Sequence, residues 1–322
     1  MKKTLGILSA LALTGVAHAE VNVSGYVDAG YGWSNKAAGN ASAFNYNEGG
    51  VWFTGNTGST SFLLDVGVDG VDNSTTISGV AVVEQAYVSN KYDNGFSWSF
   101  GAFDGILGHE SNDSVNNAFN HTGLLFDFVP STHAGVLLGY DLSDALKLQF
   151  IVANGDNTKA TAANKFDYPE LGFKLSSKMD GLTAYVGGDF QSEGDENGYV
   201  IDIGAMTSVG AMEVGAELVL VKAAVKDGES GMGFGIHGGT EIMEGTKFNV
   251  GFEWENGKST GADTKVTAME LRAGPTWALS EALNLKADYT FTKNSGEDAD
   301  LLAASKSSDA QHGIRVAGVY KF

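Results

Sequence analysis

From Val21 to Phe322 the chain repeatedly exchanges apolar and polar residues at every second position, as strands do when their two faces meet different surroundings. Leu283, Leu285, Ala287, Tyr289 and Phe291 alternate with Asn284, Lys286, Asp288, Thr290 and Thr292. Phe248, Val250, Phe252 and Trp254 alternate with Asn249, Gly251, Glu253 and Glu255. Near the start Val21, Val23, Val27, Ala29, Tyr31 and Trp33 share one face, with Asn22, Ser24, Tyr26 and Asp28 on the other. At the far end Ile314, Val316, Gly318, Tyr320 and Phe322 alternate with Gly313, Arg315, Ala317, Val319 and Lys321, and the strand runs to the terminal aromatic residue. The pattern predicts sixteen strands, at 21–33, 43–55, 60–70, 79–92, 95–103, 132–141, 145–154, 167–176, 181–191, 198–208, 211–222, 230–241, 245–255, 265–277, 282–293 and 310–322. Segments 43–55 and 79–92 alternate poorly and leave their registers open.

The connections alternate too. The even ones are short: Asn56–Ser59, Asp93–Asn94, Leu142–Asp144, Ser177–Asp180, Val209–Gly210, Ile242–Glu244 and Ala278–Glu281. The odd ones are mostly longer and polar, the longest spanning Asp104–Ser131. Short turns on one rim and long loops on the other are the layout of an all-β, transmembrane antiparallel up-and-down β-barrel of about 16 strands with both termini periplasmic. Lipid offers no hydrogen bonds, so every backbone group must pair between strands, and closure alone removes the unpaired edges. A barrel of that size encloses more space than its side chains fill, leaving an aqueous channel. After residue 19 no segment approaches 18 consecutive apolar residues, which argues against a helical membrane protein.

Composition sharpens this picture. Lys2 and Lys3, the apolar run Leu5–Val16 and Ala17-His18-Ala19 read as a cleaved secretory signal over 1–19, leaving 20–322 as the barrel. With no cysteine, a disulfide framework, a zinc thiolate site and a cysteine nucleophile are all excluded. The formal charge is −19, and loss of Lys2 and Lys3 with the signal takes it to −21. Arg272 and Arg315 are the only arginines, so nucleic acid is not an expected partner.

The candidate chemistry sits in the longest connection. It holds Asp104, Glu110, Asp113 and Asp127, with His109 and His121, and neither Lys nor Arg. Its apolar stretch Leu124-Leu125-Phe126, with Phe128, needs burial. We therefore expect a third extracellular loop folded into the lumen, its carboxylates favouring cations, in preference to a solvated surface loop. On the wall, Lys147, Arg272, Lys286, Arg315 and Lys321 fall on the inward parity. They either form a basic arc facing the acidic loop or pair with carboxylates such as Glu270 and Asp288. Adjacent His109 and Glu110 point apart in extended chain, and Asp298 and Asp300 fit a solvated acidic loop, so no metal and no cofactor is expected. Trp33, Trp98, Tyr140, Trp254, Trp277 and Tyr320, near strand ends, fit interfacial girdles.

Several segments are also similar to a known family. Val83-Glu84-Gln85-Ala86-Tyr87-Val88-Ser89, Phe100-Gly101-Ala102-Phe103 and Gly108-His109-Glu110-Ser111-Asn112-Asp113-Ser114 carry the likeness. Gly123-Leu124-Leu125-Phe126, Pro130-Ser131-Thr132-His133-Ala134-Gly135-Val136 and Val152-Ala153-Asn154-Gly155-Asp156-Asn157 extend it. In order and spacing they resemble the OmpL-like β-barrel porin-2 family over about 83–157; elsewhere only the general pattern agrees. The resemblance implies an outer-membrane porin and brings no catalytic residues. Members often carry an arginine before the Leu-Leu-Phe, where this chain has Asn120-His121-Thr122-Gly123, which favours an acidic constriction.

The reading is an outer-membrane porin passing small hydrophilic solutes by passive diffusion, with a preference for cations and constriction residues Asp104, Glu110, Asp113, Asp127, His121, Lys147, Arg272 and Arg315. Outer-membrane lipid and the barrel assembly machinery are its implied partners, and the assemblies left open include a homotrimer. The alternatives are a substrate-selective channel, a barrel enzyme of phospholipase or protease type drawing on His109, Ser111 and His121, and a structural or adhesive surface protein.

Overall fold

A computed structural model describes residues 21–36, 39–69, 81–154, 169–193, 196–222, 229–259, 265–295 and 310–322. The expected signal over 1–19 lies outside them, as do Asp298, Asp300 and most of the long odd connections. The strands are β1 (Val21–Lys36), β2 (Gly39–Thr57), β3 (Thr60–Asp69), β4 (Ala81–Lys91), β5 (Phe96–Asp104), β6 (Thr132–Ser143), β7 (Leu146–Asn154) and β8 (Glu170–Met179). They continue with β9 (Leu182–Glu193), β10 (Glu196–Val209), β11 (Met212–Lys222), β12 (Glu229–Met243), β13 (Thr246–Ser259), β14 (Lys265–Ala278), β15 (Leu283–Ser295) and β16 (Gln311–Lys321). Each pairs antiparallel with its sequence neighbours, and β16 returns to β1, closing the barrel. At the seam Phe322 and Gly25 exchange both backbone hydrogen bonds at 3.0 Å. No open edge remains for lipid to meet.

The two faces differ as the alternation requires. Phe100, Phe150, Phe190, Ile203, Phe252, Leu271, Ile314 and Tyr320 are exposed on the outside. Asp28, Asp189, Asp202, Glu253, Arg272 and Asp288 are buried on the inside. Charges within and apolar side chains without reverse the arrangement of a soluble barrel and suit one bathed in lipid.

Both poorly alternating segments contain bulges. Between β1 and β2 the ladder passes from Asp28↔Glu48 to Ala29↔Tyr46, leaving Asn47 extra. Between β3 and β4 it passes from Asp65↔Gln85 to Val66↔Val83, leaving Glu84 extra. One added residue inverts the face parity of everything beyond it, so a single period-2 pattern cannot run through either strand. Turns are tighter than the pattern suggests: Asp180–Gly181 alone joins β8 to β9, both at positive φ (42° and 84°) as a two-residue hairpin turn demands. Gly257 and Ser295, which read as loop residues, extend β13 and β15.

Candidate functional site

The connection from β5 to β6 lies against the inward faces of the strands. Its apolar residues supply one attachment. Leu107, Leu124, Leu125, Phe128 and Val129 pack in one buried cluster with Val200, Val219, Val266 and Ala268 from β10, β11 and β14. Each such side chain contributes about 1.5–3 kcal/mol when removed from water. Leu124–Phe128 forms a short 3-10 turn, and a Cβ on Gly233 of β12 would collide with Leu125 and crowd Phe128. Glycine there lets the turn lie flush on the wall.

Polar anchors fix the remainder. Arg272 of β14 donates from Nη1 to Glu110 Oε1 at 2.7 Å and to the His121 carbonyl at 3.1 Å. Its Nη2 meets Glu253, its Nε lies 3.2 Å from Glu270 Oε1, and its guanidinium sits 4.8 Å above the Phe119 ring. Lys286 of β15 donates from Nζ to the carbonyls of Ser114 (2.8 Å) and Asn117 (2.6 Å). On the same side of the barrel, past β16, Ser114 Oγ donates to Asp28 Oδ2 of β1 at 2.7 Å and Ser114 N to Glu48 Oε1 of β2 at 2.5 Å. Gly108 N donates to Asp202 Oδ2 at 2.6 Å, and Lys174 Nζ to the Ile106 carbonyl at 2.5 Å. Held from β1, β2, β8, β10, β14 and β15, the loop crosses the interior.

The candidate residues separate into groups. Asp104, Glu110, Asp113, Asp127 and His121 all belong to this loop or its root. Asp113 is buried and accepts from Tyr26 Oη at 3.3 Å. Burial raises its carboxyl above the usual range, and the negative charge of Asp104 adds to the shift. Asp127 stands exposed, and His121 lies 3.6 Å from Glu270 and 3.7 Å from Asp288. Arg272 is the centre of an ion-pair cluster with the loop's own Glu110. It is thus a clamp beneath the loop, and pairing with neighbouring carboxylates describes it better than a basic arc does. Lys147 and Arg315 keep the expected inward parity and are exposed, and among the described residues no hydrogen bond or ion pair joins either to the loop. Sequence reasoning missed the clamp role of Lys286 and the wall acids Asp28, Glu48, Asp65, Glu84 and Asp202. The parity of Asp28 was readable, that of Glu48 and Glu84 in the two poorly alternating segments was not, and the convergence of the group was not.

A closed sixteen-strand barrel with charged inner wall, apolar outer wall and a long loop anchored across its interior defines a transmembrane β-barrel of the porin class. The chain belongs to the Putative beta-barrel porin-2, OmpL-like family, whose profile matches residues 20–322. No curated protein matches its sequence. Among solved structures it is similar to the anion-selective porin from Comamonas acidovorans, with TM-score 0.71 and 15% identity over 95% of this chain and 100% of that one. The outer membrane channel DcaP of Acinetobacter baumannii gives 0.71 and 14% over 94% and 97%. In-vitro folded OmpT of Vibrio cholerae, in its trimer form, gives 0.66 and 12% over 95% and 100%.

Proposed function

We propose that this protein forms a water-filled outer-membrane channel for passive diffusion of small hydrophilic solutes, with a preference for cations. One observation carries the preference: the described buried residues include eleven carboxylates but only two cationic side chains, Arg272 and Lys286. Both cations are engaged, Arg272 with three carboxylates and Lys286 with loop carbonyls. Fixed negative charge along a narrow aqueous path favours cations, and added salt weakens it as the Debye length falls from about 10 Å at 0.1 M to about 3 Å at 1 M. The Comamonas porin bears the name anion-selective, but charge preference follows wall residues, which at 15% identity are this chain's own.

The third-loop constriction draws support from the lumenal anchors of residues 106–128. The family match starting at residue 20 supports cleavage after Ala19. A homotrimer draws support from the trimer form of OmpT, and cross-linking of the folded protein tests it. For a hydrolytic site the loop offers little: Ser111 Oγ accepts from Asp113 N at 3.3 Å, and among the described residues no hydrogen bond links Ser111 to His109 or His121. His109 instead stacks on His237, with centroids 3.6 Å apart. Bilayer recordings with a salt gradient test the channel. A cation-signed zero-current potential that shrinks at high salt is expected; an anion sign overturns the preference, and absence of conductance overturns the channel.

A further inference from the structure

Asp65 on β3, Glu84 on β4 and Asp113 in the loop each bring one carboxylate oxygen into a group whose atoms all lie within 4.8 Å of one another. Asp65 has 0% exposure, and neither of its oxygens accepts a hydrogen bond. Trp52 and Gln85 are its neighbouring donors, yet Gln85 gives its amide to Asp104 Oδ2 at 3.1 Å instead. A fully buried carboxylate that accepts no well-formed hydrogen bond, with two more carboxylates beside it, calls for a positive partner. The two buried cationic side chains are committed elsewhere, Arg272 on the β13–β14 wall and Lys286 beneath Ser114 and Asn117.

The backbone is arranged to make this convergence. Glu84 is the extra residue of the β3–β4 bulge, and a bulge re-aims a side chain that regular pairing would send outward. Its carboxylate then lies across Gly67, where any Cβ would collide with it. The third ligand comes from the loop, so whatever binds here ties loop to wall.

We propose that Asp65, Glu84 and Asp113 bind a hard divalent cation of the calcium type. Calcium takes carboxylate oxygens at about 2.3–2.6 Å, which puts opposite ligands roughly 4.6–5.2 Å apart and suits the observed spread. An all-oxygen set without nitrogen or sulfur donors disfavours zinc and copper. Magnesium demands tighter octahedral geometry and keeps its waters. Glu84 is half-buried, so water reaches the remaining coordination positions from its side. Bound calcium cancels two of three negative charges at the wall and fixes Asp113. Its effect on permeation rests on the channel reading; the binding itself does not.

The probe is terbium(III), a calcium mimic excited through Tyr26, whose Oη bonds Asp113, and Trp52, whose ring centre lies 5.4 Å from that of Tyr26. Folded full-length protein in detergent is expected to show sensitised terbium emission. Calcium displaces it at free concentrations on the order of 10⁻⁴–10⁻³ M, as for other weak extracellular sites. Asp65→Asn with Glu84→Gln, and separately Asp113→Asn, each lower terbium affinity at least about tenfold, a difference of about 1.4 kcal/mol. Asp180→Asn in the β8–β9 turn leaves it unchanged. Should the double variant fail to give a folded, heat-modifiable band, Asp113→Asn in the loop decides alone. Absent emission, unchanged affinity in the loop variant, or displacement by magnesium as effective as by calcium overturns the proposal. A chain that conducts without binding terbium loses the site and keeps the channel; one that binds terbium without conducting does the reverse.

Discussion

Arg272 Nη1 donates to Glu110 Oε1 at 2.7 Å although the two residues lie 162 positions apart. One is on the wall of β14 and the other in the first third of the loop, so this bond ties the loop to a wall strand well away in sequence from its own β5 and β6. The same guanidinium holds Glu253 and Glu270, which makes it a shared counterion for three carboxylates.

Arg272→Gln is expected to leave those carboxylates uncompensated. Breaking a buried pair from one side costs about 3–5 kcal/mol, and the loop loses its central anchor. A lower unfolding midpoint in detergent and added current noise in single-channel records are the expected results. Combining it with Glu110→Gln should recover part of the loss, a coupling of roughly 0.5–3 kcal/mol. Unchanged midpoint and quiet channels would remove the clamp.

Acid should weaken cation preference early. Burial, with the neighbouring charge of Asp104, holds the Asp113 carboxyl above the ordinary range near 4. A raised acid gives up its charge at a higher pH than an ordinary carboxylate does, so its contribution to the preference is the first to go as pH falls. It is lost as pH falls through the raised pKa, while exposed carboxylates stay ionised. Zero-current potentials recorded with chelator across a pH series should show this early step, and Asp113→Asn should abolish it. A step unmoved in the variant would assign it to other groups.

Phe322→Ser, or its deletion, should lower outer-membrane insertion without blocking export. Its backbone closes the seam with Gly25, and its ring is 54% exposed on the outside. Abundance of the heat-modifiable folded band, quantified against total exported protein, is the readout. An undiminished band would separate the terminal ring from assembly.

Insertions should sort the two rims. A short epitope placed within 260–264 is expected to be labelled on intact cells, as is one at position 159. An epitope between Asp180 and Gly181, or at Ser280, should be labelled only after permeabilisation. Surface labelling of the turn epitopes would invert the orientation.

The sixteen strands, their antiparallel order and, outside segments 43–55 and 79–92, the faces they present were legible in the chain, because lipid outside and water inside impose a two-residue period that survives without knowledge of neighbours. Val21, Val23 and Val27 outward with Tyr26 and Asp28 inward follow from that alone. The loop's length, its acidity and its apolar Leu124-Leu125-Phe126 run with Phe128 also pointed to a lumenal fold, and Leu124, Leu125 and Phe128 are the ones buried. Two things escaped. Asn47 and Glu84 are single extra residues in ladders, and a bulge is decided by the partner strand's pairing, which periodicity within one strand does not record. Nor does parity tell which inward charges meet, since Arg272 reaches Glu110, and Asp65 faces Asp113, only when closure of the barrel and entry of the loop bring distant segments together. Side-chain direction is a local property of the strand; side-chain partnership is set by closure.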